Sequence, residues 1–296
     1  MSDFLQQHYS INSFKNSDNW VLLNRIESSI KEKIEKYGIP LSKWNVSINY
    51  GIKTGYNDAF IIDEATKNTL ITSDPKSAEL IRPILRGKDI KRYSYNFANL
   101  YLICTFPSKH YNIDDYPAIK KYLLSFDKRR LAQTGEKNID GIKGFNARKK
   151  TGNKWFETQD QINYSDDFYK PKIMYNDINT RLSFCCVEQG IFCNNTVYFL
   201  QPNEADLKYF LAILNSRIIN WYYKTLSVQL GSNAVRMFSI YVKKIPIPQI
   251  NMRERMEISD LVNKELSNKN MDDIIDNKIY QLFHLSDYEI EYINHI

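Results

Sequence analysis

The sequence predicts an α+β fold, in which a mixed twisted sheet packs against helices and the C-terminal end is helical. Two hydrophobic patterns support this prediction. Short extended runs alternate with longer stretches that carry apolar residues at every third or fourth position. Beyond Asn251 only the helical pattern remains. The chain has 296 residues, of which 43% are hydrophobic, and this is enough apolar material for a sizeable core.

The first half of the chain is predicted to contain both helices and strands. Apolar residues at every fourth position from Leu22 to Ile34, followed by Gly38, are typical of an amphipathic helix and its end. The helices predicted here span residues 19–37 and 116–126, with another starting at Asp74 and Pro75. The strands predicted here span residues 44–50, 59–62 and 100–106, and a turn at residues 51–57 joins the first two.

The second half is predicted to begin with strands and to end with helices. The strands predicted here span residues 172–175, 182–187, 191–193, 196–200 and 235–242, with a hairpin turn at residues 188–190. Residues 206–226 are predicted to form one long helix, and the prolines within residues 245–248 are expected to close the sheet. Ser286 and Glu289 predict a capping box in the helical tail. We therefore expect a helical lead-in at residues 1–43, an α+β domain at 44–250 and a helical tail at 251–296.

Residues 134–154 differ from the rest of the chain. They contain four glycines and few large apolar side chains apart from Ile139, Ile142 and Phe145, which predicts a long, mobile, basic loop. Residues 120–154 hold eleven basic and three acidic residues, a net charge of +8. Residues 251–296 hold five basic and ten acidic residues, a net charge of −5. This separation of charge favours an anionic partner for the middle of the chain.

Composition excludes several classes of protein. Aromatic residues make up 14% of the chain, so it is not of the disordered class. No apolar run is long enough to span a bilayer, and the first residues lack the layout of a signal peptide. We expect a soluble, cytoplasmic protein without a membrane partner.

The four cysteines are expected to be buried, reduced thiols. A zinc site requires spaced pairs or a nearby histidine, and the sequence has neither. Cys185 and Cys186 are adjacent in a predicted strand, so their side chains should point to opposite faces of the sheet.

No sequence motif predicts a catalytic centre. Lys53 and Thr54 lie between Gly51 and Gly55, whereas a phosphate-binding loop needs this pair after its second glycine. The dinucleotide motif GxGxxG and the amino-methyltransferase signature are both absent. None of the four histidines lies in a recognisable nucleophile motif. We expect no catalytic residue, no metal site and no cofactor in this chain.

Basic residues interleaved with aromatic and amide side chains are typical of a nucleic-acid interface. Lysine and arginine neutralise phosphates, while arginine, asparagine and glutamine can pair with base edges. Candidate phosphate contacts in the run at residues 86–93 are Arg86, Lys88, Lys91 and Arg92. Candidates in the 134–154 loop are Lys143, Arg148, Lys149 and Lys150.

Five blocks in a fixed order resemble a known family. They are GIKTGYNDAF at residues 51–60, IRPILRGKDIKRY at 81–93, WFETQDQINY at 155–164, KPKIMYNDI at 170–178 and LAILNSR at 211–217. The helical segment IDNKIYQLF at 275–283 also looks like the end of such chains. Together these blocks resemble the TaqI-like C-terminal specificity domain of adenine-specific DNA methyltransferases and type IIG restriction–modification enzymes.

The resemblance implies that residues 44–250 are a target-recognition domain for double-stranded DNA. The catalytic domains of the family are not in this sequence, so the chain is either a piece of a longer enzyme or a separate subunit. S-adenosylmethionine, and Mg²⁺ where cleavage occurs, would then belong to a companion methyltransferase or endonuclease domain or subunit. By this resemblance the turn at residues 51–57 should present Lys53, Thr54, Tyr56 and Asn57 to DNA. Candidate base contacts are Arg181, Gln229, Asn233 and Arg236.

Two alternatives of other classes remain open at the level of sequence. The chain could be an autonomous metal-dependent nuclease whose carboxylates meet only in the fold, and plasmid cleavage with Mg²⁺ would favour this hypothesis. It could instead be a protein-interaction module that uses the acidic helical tail. That hypothesis predicts tight binding to a partner protein and indifference to DNA.

Overall fold

The computed structural model describes residues 23–227, 229–231, 234–267 and 269–295, without the side chain of Gln229. The strands of the described residues lie in four small sheets, of which the central one has the order β2-β10-β6-β8 and is wholly antiparallel. A second four-stranded sheet, β3-β5-β4-β9, is mixed because β4 and β9 run parallel. The strands are β1 Gly38–Pro40, β2 Ser47–Tyr50, β3 Ile61–Asp63, β4 Ile81–Leu85, β5 Leu100–Ile103, β6 Lys172–Asn176, β7 Ile178–Asn179, β8 Phe184–Val187, β9 Phe192–Cys193, β10 Val197–Gln201, β11 Gln229–Leu230, β12 Ala234–Arg236 and β13 Pro246–Pro248.

Helices surround these sheets and follow them to the C-terminal end. The α-helices are α1 Arg25–Tyr37, α2 Asn57–Phe60, α3 Glu64–Ser73, α4 Pro117–Leu123, α5 Lys128–Leu131, α6 Leu207–Asn215, α7 Arg217–Leu226, α8 Ser239–Val242, α9 Met252–Leu266, α10 Asp272–Leu282 and α11 Asp287–His295. The 3₁₀ helices are Leu41–Lys43, Pro75–Glu79, Gly87–Asp89, Pro107–Lys109, Ile113–Asp115, Ile139–Gly141, Ser165–Tyr169 and Glu204–Asp206. The α+β prediction with a helical C-terminal end is confirmed.

The central sheet separates two hydrophobic cores. Because successive side chains of a strand point to opposite faces, strands β6, β8 and β10 each contribute alternately to both cores. The first core, on the side of helices α1, α6, α7 and α9–α11, receives Ile173, Tyr175, Phe184 and Leu200. The second core, on the side of the mixed sheet, receives Met174, Cys185, Val197 and Phe199.

The prediction of buried thiols is confirmed for three of the four cysteines, and the prediction that Cys185 and Cys186 point to opposite faces is confirmed. Cys104, Cys185 and Cys193 are buried, Cys186 is partly buried, and all four are free thiols. Cys185 belongs to the second core, whereas Cys186 packs against the first. Burial raises the pKa of Cys186 to about 12, so this thiol is protonated at neutral pH.

The first predicted helix is confirmed over Arg25–Tyr37, where Asn24 and Glu27 form a capping box. Its predicted first residues, 19–22, lie outside the described part of the chain. Glu289 links helix α11 to α1, because it accepts hydrogen bonds from Lys33 Nζ at 2.6 Å and Ser29 Oγ at 2.7 Å. The predicted capping box at Ser286 is also present, since Ser286 N donates to Glu289 Oε2 at 2.7 Å.

Three predicted elements are wrong in a similar way, because apolar periodicity continues across a break in the backbone. The predicted helix at 206–226 is two helices, since Ser216 is extended and its hydroxyl caps the second helix. In the predicted strand at 235–242, extended structure ends at Arg236 and a short helix follows at Ser239–Val242. In the predicted strand at 59–62, a helical turn occupies Asn57–Phe60 and the strand is Ile61–Asp63.

Two pairing predictions are also wrong. Residues 188–190 do form a turn, with Gly190 at φ +82°, but β9 pairs in parallel with β4 instead of closing a hairpin with β8. The proline-rich strand β13 pairs with β1 in a separate two-stranded sheet and does not border the central one. Helix α3 was not predicted; Asp63 caps it by accepting from Thr66 N at 2.8 Å.

The remaining predicted strands and helices are confirmed, with ends that differ from the predicted ones by at most three residues. Asp74 caps the 3₁₀ helix Pro75–Glu79, and strands β2 and β5 and helix α4 lie inside their predicted ranges. Within the described residues, no helix is both long and apolar enough to cross a membrane. The division at residues 43 and 250 stays a prediction.

Candidate nucleic-acid interface

Three turns meet at one edge of the structure, at residues 51–57, 86–89 and 194–196. We call this region the three-turn edge. Ile52 N donates to Cys193 O at 2.7 Å, and Asn195 N donates to Ile52 O at 3.0 Å. Gly87 N donates to Thr196 Oγ1 at 2.9 Å, which joins the second turn to the third. Residues far apart in sequence therefore form one continuous surface.

The approach of the 51–57 turn to the 194–196 turn requires glycine at position 51. A Cβ atom at Gly51 would lie 2.0 Å from the backbone oxygen of Asn194, which is far inside van der Waals contact. Gly55 has φ +77°, a left-handed conformation that side chains with a Cβ resist. The two glycines thus fix the position and the shape of the turn.

The 51–57 turn presents only some of its polar side chains to solvent. Lys53 and Asn57 are exposed and Tyr56 is half-buried, so these three are available to a ligand. Thr54 is 1% exposed, and its hydroxyl donates to Asn57 Oδ1 at 2.7 Å while accepting from Tyr56 N at 3.1 Å. The prediction that the turn presents Thr54 is therefore corrected, because this side chain shapes the turn from within.

Arg148 ties the 51–57 turn to the base of the 134–154 loop. It is 3% exposed, and its guanidinium donates to four backbone carbonyls. These acceptors are Leu131 O at 2.8 Å, Thr54 O at 2.9 Å, and Glu157 O and Trp155 O at 2.6 Å. Burial lowers the pKa of Arg148 to about 10, so the group stays charged at neutral pH. The prediction that Arg148 contacts DNA is corrected, because its donors are already used inside the protein.

The 134–154 loop is irregular, as predicted, and its two arms are hydrogen-bonded to each other. Gly135 N donates to Arg148 O at 2.9 Å, and Ala147 N donates to Glu136 O at 3.0 Å. Six basic and two acidic residues lie between positions 134 and 154. The predicted contacts Lys143, Lys149 and Lys150 are all exposed. The loop thus holds a positive charge beside the three-turn edge.

The basic run at residues 86–92 divides into exposed and internally paired residues. Lys88 and Lys91 are exposed. Arg86 pairs with Asp89, with Nε 2.9 Å from Oδ2, and remains partly accessible. Arg92 is mostly buried, pairs with Asp272 in helix α10 and donates to Asn215 O at 2.8 Å. The prediction that Arg92 contacts phosphate is corrected, because it joins the sheet region to the helical tail.

Of the four predicted base contacts, the two whose side chains the structure describes lie apart from each other. Arg236 pairs with Asp177 at 2.7 Å, and Asp177 N donates to Thr196 O, which brings Arg236 to the three-turn edge. Arg181 is exposed but lies 3.9 Å from Asp272, toward the helical tail. The side chain of Gln229 and the whole of Asn233 lie outside the described residues.

The structure adds a residue that the sequence did not single out. The guanidinium carbon of Arg130 lies 4.2 Å from the centroid of the Tyr56 ring, within cation–π range. Arg130 belongs to the basic run at residues 128–130, which the charge count detects. Its contact with the 51–57 turn is invisible in the sequence because the two segments are far apart along the chain.

The described residues lack the clustered ligands of a metal site. In them, no group of three or more histidine, cysteine, aspartate or glutamate side chains is arranged to hold a metal ion. The donors at the three-turn edge are instead ammonium, guanidinium, amide and hydroxyl groups. Such donors suit phosphate oxygens and base edges.

Comparison with curated proteins finds type II methyltransferases. The chain is 21% identical over 285 residues to the type II methyltransferase M.BstVI of Geobacillus stearothermophilus, covering 95% of this chain and 47% of that protein. It is 24% identical over 234 residues to the type II methyltransferase M.XhoI of Xanthomonas vasicola, covering 78% of this chain and 39% of that protein. The chain thus spans less than half the length of these relatives.

A solved structure shares the fold. The type IIL restriction–modification enzyme MmeI, in complex with DNA, matches with a TM-score of 0.51 and 14% identity, covering 86% of this chain and 35% of that one. The model of the TaqI-like C-terminal specificity domain matches residues 82–247. This match includes the second and third turns of the three-turn edge and the whole 134–154 loop. The chain belongs to the family of TaqI-like C-terminal specificity domains.

Proposed function

We propose that this chain is the target-recognition module for double-stranded DNA of a restriction–modification adenine methyltransferase or endonuclease. The observation that supports the proposal most strongly is that the three-turn edge is continuous with the positively charged 134–154 loop. Exposed lysines of the loop and amide and hydroxyl donors of the turns share one surface, which buried Arg148 holds together. A specificity domain needs both kinds of contact, since phosphate contacts set position and base contacts set sequence.

We assign phosphate contacts to those candidate cations from the sequence that are exposed and have no short ion pair among the described side chains. These are Lys53, Lys88, Lys91, Lys143, Lys149 and Lys150. Arg86 remains a candidate, since a phosphate could replace part of its pairing with Asp89. We assign base contacts to Asn57 and Arg236, whose side chains can make paired hydrogen bonds to base edges. Arg181, Gln229 and Asn233 remain proposed base contacts.

The catalytic steps belong to a companion in this proposal. The curated relatives are more than twice as long as the stretch that they share with this chain. A methyltransferase or endonuclease domain or subunit would bind S-adenosylmethionine, and Mg²⁺ where cleavage occurs. Among the described residues, no group of three or more histidine, cysteine or carboxylate side chains fits a metal ion. The proposed place of action is the cytoplasm.

The test is selection of binding sites from a randomised duplex pool by the purified chain. The selection is run alone and with a co-expressed methyltransferase partner. Enrichment of one short site in either format supports the proposal and gives the recognition sequence. Absence of enrichment in both formats overturns it, and tight binding to a partner protein alone would then support the interaction-module alternative. Cleavage of plasmid DNA by the chain with Mg²⁺ would contradict the assignment of catalysis to a companion.

A further inference from the structure

Residues 138–146 form the tip of the 134–154 loop, and Ile142 is an exposed apolar side chain there. Its exposed fraction is 56%, whereas that of Ile139, three residues earlier in the same tip, is 2%. The fold of the loop thus buries one isoleucine and directs the other into solvent. With more than half of its surface exposed, Ile142 contributes little apolar burial to the loop.

The tip is held by hydrogen bonds that do not involve the side chain of Ile142. Ile139 N donates to Phe145 O at 2.7 Å, and Phe145 N donates to Ile142 O at 3.1 Å. Asn138 Oδ1 accepts from Gly144 N at 3.0 Å, and Asn138 N donates to Asn146 Oδ1 at 2.9 Å. A closed tip of this kind presents Ile142 in a fixed position.

The surface around Ile142 is open and shares the positive charge of the 134–154 loop. A Cβ atom at Gly141 or Gly144 would meet nothing within 4 Å, so the flanks of the tip are narrow and clear of other chain segments. Lys143 is exposed next to Ile142. Asp140, the acidic group of the tip, pairs with Arg129 Nη1 at 2.6 Å, and the same guanidinium pairs with Asp127 at 2.7 Å. Residues 134–154 still hold six basic and two acidic side chains, a net charge of +4. This charge favours a polyanion as the occupant over an apolar protein pocket.

We propose that Ile142 is an apolar wedge that enters between two adjacent base pairs of the bound duplex. The lysines of the loop would bind the flanking phosphates and bring the tip against the groove. Apolar side chains such as isoleucine can partly unstack a base step and kink the duplex, and the deformed duplex then contacts more protein surface. This inference rests on the proposed function, because it names what one residue of that DNA-binding surface does.

The experiment measures base unstacking in the duplex selected by the full chain. Fluorescent analogues replace one base at a time, with 2-aminopurine for the adenine of each A·T pair and pyrrolocytosine for the cytosine of each G·C pair. Every base pair of the site is thereby examined. The wild-type chain should raise fluorescence severalfold at one step, and Ile142→Ala should abolish that rise. Ile142→Ala should also weaken binding to the selected site roughly tenfold, as expected for the loss of one buried aliphatic side chain.

Two matched variants separate the wedge from general effects. Ile142→Leu keeps an apolar side chain of equal size and should retain the fluorescence signal. Lys143→Ala should weaken binding to all duplexes while leaving the unstacked step unchanged. Folding of each variant is checked by its thermal unfolding, which exposed Ile142 should not affect.

The outcomes distinguish the wedge from the proposed function. No unstacking at any position by the bound wild-type chain, or equal unstacking by Ile142→Ala, overturns the wedge and leaves DNA recognition standing. Failure of the wild-type chain to bind any duplex overturns the proposed function, and the wedge with it.

Discussion

Removal of the Arg148 side chain should destabilise the protein and release the 51–57 turn. The substitution Arg148→Met keeps much of the aliphatic length but removes all four hydrogen bonds to backbone carbonyls, which span 2.6–2.9 Å. Hydrogen bonds to a charged group contribute about 1.5–3 kcal/mol each, and desolvation of the buried guanidinium offsets part of their sum. Removing one partner of a buried network typically costs about 3–5 kcal/mol. We expect a loss of about 3–4 kcal/mol.

The loss is measured by urea unfolding at pH 7 and by the melting temperature. A change of this size should lower the Tm by roughly 6–12 °C. Arg148→Lys retains the charge but cannot reach four acceptors from a single ammonium group, so its loss should be intermediate. Lys149→Met changes an exposed neighbour and should stay within about 0.5 kcal/mol of the wild-type chain.

Amide hydrogen exchange of the 51–57 turn gives a second measurement of the effect of Arg148→Met. Thr54 O is one of the acceptors, so amide hydrogens of the 51–57 turn should exchange faster in Arg148→Met than in the Lys149→Met control. An Arg148→Met chain that unfolds within about 0.5 kcal/mol of wild type would refute the reasoning. It would mean that other contacts hold the loop and the turn together.

The remaining predictions concern charge. Replacing both Lys149 and Lys150 with glutamate should weaken binding to every duplex and lower the slope of log affinity against log salt by about 2, because two phosphate contacts are lost. Unchanged affinity across the salt series would contradict this, and Lys264→Glu with Lys278→Glu, on the opposite side of the central sheet, is the charge-matched control. Asp276, whose side chain is 1% exposed, has a pKa raised to about 6 by burial, so the folded state binds its proton more tightly than the unfolded state. The free energy of unfolding should therefore fall by up to about 3 kcal/mol as pH rises from 4 to 6. The Asp276→Asn variant should lack this pH-dependent fall. Parallel pH profiles of unfolding free energy for the two chains would contradict the prediction.

Continuous periodic patterns were sufficient to predict much of the fold. The tail predicted to be helical at residues 251–296 contains three helices, and the last one follows the predicted capping box at Ser286. Cys185 and Cys186 could be assigned to opposite faces because strand alternation is local. The break at Ser216 could not be seen, because apolar spacing continues on both sides of a single extended residue.

The candidate site was predictable in its composition but not in its geometry. Arg92 and Lys91 are adjacent cations in the sequence, yet Arg92 is paired with Asp272 while Lys91 is exposed. In the sequence, Arg148 is one of several cations in the 134–154 loop. Its burial could not be predicted, because its four carbonyl acceptors come from three separate segments of the chain. Charge at a position is a property of the sequence, whereas burial depends on contacts that only the fold supplies.

Amide hydrogen exchange of the full chain, with and without the selected duplex, tests the central claim most directly. If the three-turn edge and the basic loop bind DNA, the duplex should protect amides at residues 51–57, 86–89 and 134–154, and leave helices α9 to α11 unchanged. Protection confined to the tail helices, with none in the loop or the turns, would contradict the claim and place the binding surface on the other side of the central sheet.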